Sequence, residues 1–391
     1  MTIESSDNTN RVSQRLRLGM VGGGQGAFIG AVHRIAARLD DRYELVAGAL
    51  SSDPERAQAS AAELGIAAER SYNSFESMAS AESEHENGID VVAIVTPNHV
   101  HYAVARAFLE AGIHVICDKP LTTDTEQARE LAKLASDKGL LFAVTYNYSG
   151  YPMIRQARKL ASSGALGELR VVQVEYPQDW LTTPAETTGL KQAEWRTDPS
   201  RAGSGGCIGD IGTHAYHLAC YVTGLQLEAL CAELTTFVDG RKLDDNAQIM
   251  MRFVGGARGL LWASQVAPGN ENALRLRVYG SEGGLEWKQE DPNQLWYTPF
   301  AQPKQLITRN GNGADDCANR LSRVPPGHPE GYLEGFANIY SEFADALQSL
   351  IEGSSADAAV DFPTVEDGVR GVEFIEAAVA SSQAGAKWVR L

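Results

Sequence analysis

The run Gly19-Met20-Val21-Gly22-Gly23-Gly24-Gln25-Gly26-Ala27-Phe28-Ile29-Gly30 decides how the N-terminal half of this chain folds. It separates a short apolar segment at 16–22 from a helical pattern at about 29–39. Glycines let the backbone turn sharply, and the helix that follows offers free N–H groups and a partial positive charge. A glycine-rich turn between a strand and a helix is therefore typical of a pyrophosphate-binding site.

The turn can be aligned with the dinucleotide-binding motif in two ways. Gly22-x-Gly24-x-x-Ala27 fits the strict spacing, whereas Gly30 would be the third glycine of a longer loop. The candidate cofactor-binding residues of the turn are Gly22, Gly24, Gln25, Ala27, Phe28 and Ile29.

Outward from this turn, short apolar runs alternate with helical patterns. Strands are predicted at 16–22, 43–50, 90–96, 114–118 and 141–145, and helices at about 29–39, 54–64, 100–111 and 124–138. Strands that are apolar on both faces and are separated by helices imply a parallel sheet covered on both sides. We therefore predict a doubly wound dinucleotide-binding domain at 16–147, preceded by a flexible polar tail at 1–15.

The pattern changes after residue 147. A helix predicted at 152–163 is followed by β-rich runs at 169–176, 229–237, 247–253, 257–266, 274–279 and 285–288. Gly255-Gly256 and Gly283 suit hairpin turns between neighbouring runs, so a largely antiparallel sheet is expected. Residues 148–391 are predicted to form a second α/β domain, with helices at 210–223, 333–351 and 364–383 and a long loop at 301–329.

Composition restricts the partners and the location. The 391 residues carry a formal net charge of -16, which would repel nucleic acid and anionic membranes, so neither is expected as a partner. The five cysteines are widely spaced, which argues against a disulfide framework or a structural zinc site. We find no apolar segment typical of a secretory signal or a membrane span, and expect a cytoplasmic location.

The run Gly209-Asp210-Ile211-Gly212-Thr213-His214 carries a carboxylate and an imidazole four residues apart. On a helix, this spacing would place Asp210 and His214 on one face. Lys119 lies far upstream, in Cys117-Asp118-Lys119-Pro120, at the end of a predicted strand. A cation, an imidazole and a carboxylate beside a nucleotide site are suited to moving a proton and a hydride together. They predict a nicotinamide-dependent dehydrogenase that needs no metal.

The ribose of the cofactor should be recognised near the end of the second strand. An NAD-selective site usually has a carboxylate there, whereas this chain has the neutral Ser51. Arg56, one helical turn further on, could meet the 2′-phosphate of NADP. These residues slightly favour tolerance of NADP, but Asp53 could supply the carboxylate after a register shift, so NAD and NADP both remain candidates.

Three motifs in this order carry a resemblance to a known family. They are Thr96-Pro97-Asn98-His99-Val100-His101, Cys117-Asp118-Lys119-Pro120 and Gly205-Gly206-Cys207-Ile208-Gly209-Asp210-Ile211-Gly212-Thr213-His214. Together they resemble the glucose–fructose oxidoreductase, inositol dehydrogenase and rhizopine-catabolism family, written Gfo/Idh/MocA. The resemblance covers the chain from about Leu16 onward. It implies a Rossmann domain, then an α/β domain whose large open sheet often makes oligomer contacts, and hence a homodimer or homotetramer.

The resemblance also implies roles for individual residues. Lys119 matches the lysine that reaches the reacting hydroxyl, His214 the general base, and Asp210 the residue that orients substrate and base. The further cofactor contacts that it implies are Thr96, Pro97, Asn98, His101, Asp118 and Asn147, and the substrate pocket would be lined by Trp180, Trp195, Arg196 and His217. Asp118 replaces the usual glutamate, and His217 stands where an aspartate is common, so the substrate class stays broad.

The expected activity is an NAD(P)-dependent oxidation of a secondary hydroxyl on a cyclic polyol or sugar, such as an inositol or an aldose. Two alternatives remain open at this point. One is a hydrolase or eliminase of the same family that recycles its bound NAD. The other is a non-catalytic regulatory protein that senses NAD(P).

Overall fold

The computed structural model describes residues 15–391, so all of the predicted tail except its last residue lies outside the described residues. The first half of the chain alternates strands and helices. Its elements are β1 (Leu16–Gly22), α1 (Phe28–Leu39), β2 (Tyr43–Ala49), α2 (Pro54–Glu63), α3 (Phe75–Glu84), β3 (Val91–Val95), α4 (Asn98–Glu110), β4 (His114–Cys117), α5 (Thr125–Lys138) and β5 (Phe142–Val144).

These five strands form one parallel sheet in the order β2-β1-β3-β4-β5. Every residue of β3 and β5 is buried, as expected for strands covered by helices on both faces. The prediction of a doubly wound parallel sheet is confirmed. Because all strands run in the same direction, the segments that follow β1, β3, β4 and β5 emerge at one edge of the sheet, where such folds bind their ligands.

The second half contains a large sheet and the remaining helices. Its elements are α6 (Pro152–Ser162), β6 (Leu169–Pro177), α7 (Lys191–Arg196), α8 (Pro199–Ala202), α9 (Thr213–Thr223), β7 (Leu227–Thr235), β8 (Asn246–Phe253), β9 (Arg258–Ser264), β10 (Arg275–Gly280), β11 (Gly283–Lys288), β12 (Gln294–Pro299), β13 (Gln305–Thr308), α10 (Asp316–Asn319), α11 (Tyr332–Ile351), α12 (Val365–Gln383) and β14 (Val389–Arg390).

The large sheet has nine strands in the order β13-β12-β11-β10-β6-β9-β8-β7-β14. Within the described part of this sheet, only the pairing of β6 with β9 is parallel, so the predicted, mostly antiparallel sheet is confirmed. The residues of one face pack against α6, α9 and α12 in a single core cluster. The other face is open, and it exposes the cross-strand pairs Met250–Leu260 and Val171–Tyr279.

Helix α11 returns to the first sheet after the chain has completed most of the second. Its residues Phe336 and Phe343 share a core cluster with Leu18 of β1. The hydroxyl of Tyr43 on β2 donates to the backbone carbonyl of Tyr340 at 2.7 Å. The nucleotide-binding half is therefore completed by residues from the C-terminal part of the chain.

The structure departs from the predicted elements at several places. The predicted helix at 210–223 is wrong at its start, because residues 208–212 form a π-helical turn and the α-helix begins at Thr213. The predicted loop at 301–329 contains β13 and α10, and α3, β12 and β14 were not predicted at all. Over residues 15–391, no helix combines the length and the hydropathy that crossing a membrane would require.

Candidate active site

The glycine-rich turn connects β1 to α1 at the ligand-binding edge of the first sheet. Gly22 and Gly23 have φ values of +80° and +73°, which side chains other than glycine rarely adopt. A Cβ atom on Gly30 would lie 2.4 Å from the Cα atom of Gly23, so the helix can approach the turn only because both residues are glycines. This close packing is the part played by the third glycine of the motif, and it favours the longer alignment that ends at Gly30.

Hydrogen bonds to side chains of α1 and α2 also hold the turn in place. Arg34 donates to the carbonyl of Gly23 at 2.6 Å. The amide of Gln25 donates to Ser60 Oγ at 3.0 Å, and its side chain donates to Glu63 at 2.6 Å. Both groups of Gln25 are therefore engaged by α2, while Phe28 at the start of α1 is 66% exposed.

The end of β2 distinguishes the two candidates for the ribose position. Asp53 caps α2, since its carboxylate accepts from the amide of Arg56 at 2.8 Å. Ser51 lies closer to the strand end and is half-buried, whereas Arg56 is exposed. One oxygen of the Asp53 carboxylate is thus engaged at the start of the helix.

Several predicted cofactor residues brace the loops at this edge. Asn98 donates to the carbonyl of Ala202 at 3.0 Å. The ring nitrogens of His101 lie 2.9 Å from the carbonyl of Pro120 and 2.8 Å from that of Thr96, so this histidine ties the two loops together. Pro97 is the residue immediately before α4.

Asp118 braces the next loop in the same way. Its carboxylate accepts from the amide of Lys119 at 2.8 Å and from the hydroxyl of Thr145 at 3.0 Å. The backbone that carries Lys119 is therefore fixed against the segment that follows β5.

The edge of the sheet fits a dinucleotide. Thr96 Oγ1 and Asn147 Nδ2 are both buried without a hydrogen-bond partner among the described residues. A buried polar atom without a partner is costly, and a ligand that bonds to it removes that cost. The glycine turn offers backbone amides at this edge, and the two atoms add polar groups without a partner among the described residues. Thr96 and Asn147 are thus suited to contact a bound NAD, which would supply the hydride acceptor.

Lys119 and Asp210 meet across the two halves of the chain. The ammonium of Lys119 donates to the backbone carbonyl of Asp210 at 2.6 Å and to its carboxylate at 3.1 Å. Both side chains are largely buried, with 13% and 16% of their surface exposed. The structure thus brings together two residues that lie far apart in the sequence.

The carboxylate of Asp210 has two more partners. Arg196 Nε lies 3.2 Å from Oδ1, and Gln265 Nε2 donates to Oδ2 at 2.8 Å. Burial alone would raise the pKa of Asp210, but Arg196 and Lys119 outweigh it and hold that pKa below its ordinary value. Asp210 therefore stays ionised and fixes both cations.

His214 lies one turn further along, among aromatic rings. Its ring centroid is 5.1 Å from that of Tyr148 and 5.7 Å from that of Tyr146. Burial and then the charge of Lys119 lower the pKa of His214 well below the ordinary value. The imidazole is therefore neutral at neutral pH, and a neutral imidazole can accept a proton.

The expectation that Asp210 orients His214 directly needs correction. The Nδ1 atom of His214 is buried and has no hydrogen-bond partner among the described residues, and the carboxylate of Asp210 is bonded to Lys119, Arg196 and Gln265. The π-helical turn changes the spacing that an α-helix would give, and such turns are frequent at functional sites. Asp210 orients the lysine instead.

The four residues expected to line the substrate pocket have three different surroundings. Arg196 stacks on Trp195, with its guanidinium 4.2 Å from the ring centroid, and its Nε atom lies beside Asp210. Trp180 donates to Gln178 at 3.0 Å. His217 is 6% exposed and stacks on Tyr146 at 4.2 Å, so its packing does not support a place in the lining.

Sequence reasoning missed several residues around the site. Gln265 follows β9 and has no motif of its own, and only the fold shows that it reaches Asp210. Asn272 accepts from the hydroxyl of Tyr176 at 2.8 Å and from Gln178 at 2.7 Å, which extends the polar network beside His214. The contacts of Tyr146 and Tyr148 with His214 were not predictable from the sequence either.

Fold and site together define an NAD(P)-dependent oxidoreductase. The family model described as "Oxidoreductase family, NAD-binding Rossmann fold" matches residues 16–146, and the one described as "GFO/IDH/MocA C-terminal domain" matches residues 154–286. The chain belongs to the GFO/IDH/MocA family.

Several relatives resemble the chain along nearly its whole length. The crystal structure of an oxidoreductase from Sinorhizobium meliloti is 57% identical, covers 96% of this chain and 99% of its own, and has a TM-score of 0.88. An inositol dehydrogenase homologue from Azotobacter vinelandii, solved with NAD+, is 37% identical over 97% of this chain and 98% of its own, with a TM-score of 0.93. Levoglucosan dehydrogenase from Pseudarthrobacter phenanthrenivorans is 30% identical over 96% of this chain and 98% of its own.

Proposed function

We propose that this protein oxidises a secondary hydroxyl of a cyclic polyol or sugar, using NAD or NADP as the hydride acceptor. The observation that carries the proposal is the contact between Lys119 from the nucleotide-binding half and Asp210 from the second half, next to a neutral, buried His214. A cation and a proton acceptor at the edge where the nicotinamide cofactor binds are the two groups that alcohol oxidation needs.

In the proposed reaction, the protein's own residues handle the proton and the charge. His214 accepts the proton of the substrate hydroxyl on a ring nitrogen. The ammonium of Lys119, fixed by Asp210, stabilises the negative charge that develops on the substrate oxygen. The buried aromatic walls around His214 keep water from the reacting groups, which strengthens both interactions.

The charges in the site favour an uncharged substrate. Arg196 is bonded to Asp210 and Gln192 and lies on Trp195, so its charge is already engaged. Trp195 and Trp180 are half-buried and offer apolar faces of the kind that pack against sugar rings. Relatives solved with myo-inositol and with levoglucosan support the class of substrate.

The cofactor proposal is that NAD is accepted and NADP is tolerated. Ser51, two residues after β2 and near the expected ribose position, carries no charge that would repel a 2′-phosphate, and one oxygen of Asp53 is engaged by the cap of α2. Relatives have been solved with NAD+ and with NADH, which supports NAD. A separate relative from Bacillus subtilis is named as an NADP+-dependent scyllo-inositol dehydrogenase, so the family accommodates both cofactors.

The open face of the large sheet supports a homodimer or homotetramer. Met250 and Leu260 are 47% and 50% exposed on the adjacent strands β8 and β9, and Tyr279 is 43% exposed on β10 of the same face. Exposed apolar side chains that cluster on one surface mark interaction sites. The double substitution of Met250 and Leu260 by lysine should shift the sedimentation coefficient to that of a monomer, and an unchanged value would rule out this interface.

The decisive experiment is a substrate panel with the purified full-length protein. Inositols, levoglucosan and aldoses are offered with NAD or with NADP, and reduced nicotinamide is followed by absorbance while the products are identified by NMR. We expect a ketone or lactone product with an equal amount of reduced cofactor. Product without net reduced cofactor would point to a hydrolase or eliminase, and cofactor binding without turnover would point to a sensor.

A further inference from the structure

Asp244 lies near the end of the connection between β7 and β8, two residues before the first residue of β8. It is 9% exposed and faces the turn that carries Asp210. We propose that Asp244 is a positioning residue for the reaction, because it fixes the backbone of the turn from which Asp210 and His214 project. The inference rests on the proposed function only for its catalytic consequence, since the contacts themselves are independent of substrate.

Asp244 binds three successive amides at the start of the turn. Its carboxylate accepts from the amide of Gly206 at 2.6 Å and from the amide of Ile208 at 2.8 Å. Its backbone carbonyl accepts from the amide of Cys207 at 2.8 Å. The first amides of a helix have no partners within the helix, so Asp244 supplies the acceptors that this turn lacks. A carboxylate is also favoured there by the partial positive charge of the helix start.

Gly206 packs so closely against Asp244 that a side chain at position 206 would not fit. A Cβ atom on Gly206 would lie 2.3 Å from the carbonyl oxygen of Asp244 and 2.8 Å from the Cβ atom of Leu243. Moving these atoms would shift the main chain, so only glycine at position 206 allows the turn to pack against Asp244. The amide of Asp210 in turn donates to the carbonyl of Gly206 at 2.9 Å, so the position of Gly206 also fixes the backbone of Asp210.

The neighbouring Asp245 acts on the carboxylate of Asp210 through Gln265. Its backbone carbonyl accepts from the amide of Gln265 at 2.8 Å, and the side chain of Gln265 donates to Asp210 at 2.8 Å. The carboxylate of Asp245, which is completely buried, accepts from Arg241 at 3.1 Å. Asp244 thus fixes the backbone of Asp210 through Gly206, and Asp245 fixes its side chain through Gln265.

The test uses the full chain with Asp244→Asn, which keeps the size of the side chain but sets an NH2 group against an amide donor. Glu330→Gln is the matched control, because Glu330 is also a buried carboxylate that accepts from two backbone amides, those of Arg323 and Val324, in a different loop. Hydrogen exchange is measured on peptides that cover 204–212 and on peptides that cover the glycine turn. Cofactor binding is measured by fluorescence titration with NADH, and kcat with a substrate from the panel.

For Asp244→Asn we expect faster exchange at 204–212, unchanged exchange at the glycine turn and an unchanged Kd for NADH. Turnover should fall by roughly 10²-fold, as a misplaced catalytic group typically causes. Gly206→Ala, which pushes the turn off the same carbonyl, should reproduce this result and serves as a second variant if Asp244→Asn does not fold. Glu330→Gln should change neither exchange at 204–212 nor kcat.

Wild-type exchange at 204–212 in either folded variant would overturn the inference, and so would a kcat equal to that of the Glu330→Gln control. If the wild-type protein itself turns over no substrate in the panel, the proposed function fails while the exchange measurement still decides the assignment of Asp244.

Discussion

The ammonium of Lys119 donates both to the carbonyl and to the carboxylate of Asp210, at 2.6 Å and 3.1 Å. One residue follows β4 of the nucleotide-binding half, and the other lies on the π-helical turn before α9. This pair joins the two halves at the point where hydride and proton would leave the substrate. The geometry of the reaction therefore depends on how the halves are packed against each other.

Replacement of Lys119 by methionine removes the charge but keeps much of the length of the side chain. We expect kcat to fall by roughly 10²–10³-fold, the usual effect of removing one group that stabilises a developing oxyanion. Steady-state kinetics with the substrate from the panel measure the change. Lys133→Met is the control, because Lys133 lies on the exposed face of α5 and should leave kcat as it was. A kcat within tenfold of wild type would remove Lys119 from the mechanism.

Replacement of His214 by alanine should lower kcat by roughly 10²–10⁴-fold, since the substrate proton then has no acceptor. The Kd for NADH should not change, because the glycine turn and the loops after β3 and β5 are untouched. Single-turnover kinetics and fluorescence titration separate the two effects. The exposed His328 provides the control variant His328→Ala, for which neither value should move.

Gly30→Ala should destabilise the nucleotide-binding half, because the new Cβ atom would lie 2.4 Å from the Cα atom of Gly23. Overpacking of this kind costs about 1–3 kcal/mol in the free energy of unfolding, and it should also raise the Kd for NADH. Urea unfolding and fluorescence titration give the two values. Gly331→Ala is the control, since a Cβ atom there meets nothing within 4 Å. Equal behaviour of the two variants would contradict the close approach of α1 to the turn.

Ser51→Asp should weaken the binding of NADP relative to NAD by roughly tenfold, through repulsion between the new carboxylate and the 2′-phosphate. The ratio of the two Kd values, measured at fixed ionic strength, reports the effect. Ser83→Asp, on the exposed surface of α3, adds the same charge far from the turn and should leave the ratio unchanged. An unaltered ratio in Ser51→Asp would show that another residue contacts the ribose.

His33 should make the protein less stable in mild acid. Burial lowers the pKa of His33 from 6.5 to about 4. The unfolded chain therefore takes up a proton as the pH falls below 6.5, while the folded protein does not, and stability is lost as the pH falls toward 4. Between pH 7 and pH 5 this histidine should remove about 2 kcal/mol from the free energy of unfolding.

The variant His33→Gln tests this assignment. It should show a smaller loss of stability between the two pH values, measured by urea unfolding at each. His85→Gln replaces an exposed histidine and should keep the wild-type difference. If His33→Gln also kept it, the acid sensitivity would arise elsewhere.

The sequence predicted the first sheet well because its information is local. The strands of that sheet are short apolar runs, and the cap at Asp53 with Pro54 marks the start of α2 within one residue. β12 and β13 were missed because strands near the edge of a sheet with one open face carry mixed polar and apolar residues. Helix α11 was predicted in position, but no local pattern shows which sheet it packs on.

The site was predictable where motifs carry it and not where the fold creates it. Lys119, Asp210 and His214 were recognised by their motifs. The π-helical turn was not predicted, since an α-helix was assumed for the spacing of Asp210 and His214. The hydrogen bond from Gln265 to Asp210 depends on a strand register that no sequence pattern specifies. The stacking of His217 on Tyr146 likewise depends on packing that no motif specifies.

The return of α11 to the first sheet has a consequence for how the protein can be divided. A fragment that ended near residue 147 would leave Leu18, Met20 and Val32 without the aromatic side chains of α11 that cover them, and it should aggregate. Exchanging nucleotide-binding halves between relatives would succeed only if α11 is exchanged together with the strands of the first sheet. The boundary near residue 147 is thus a point where the chain changes pattern and not a point where it can be cut.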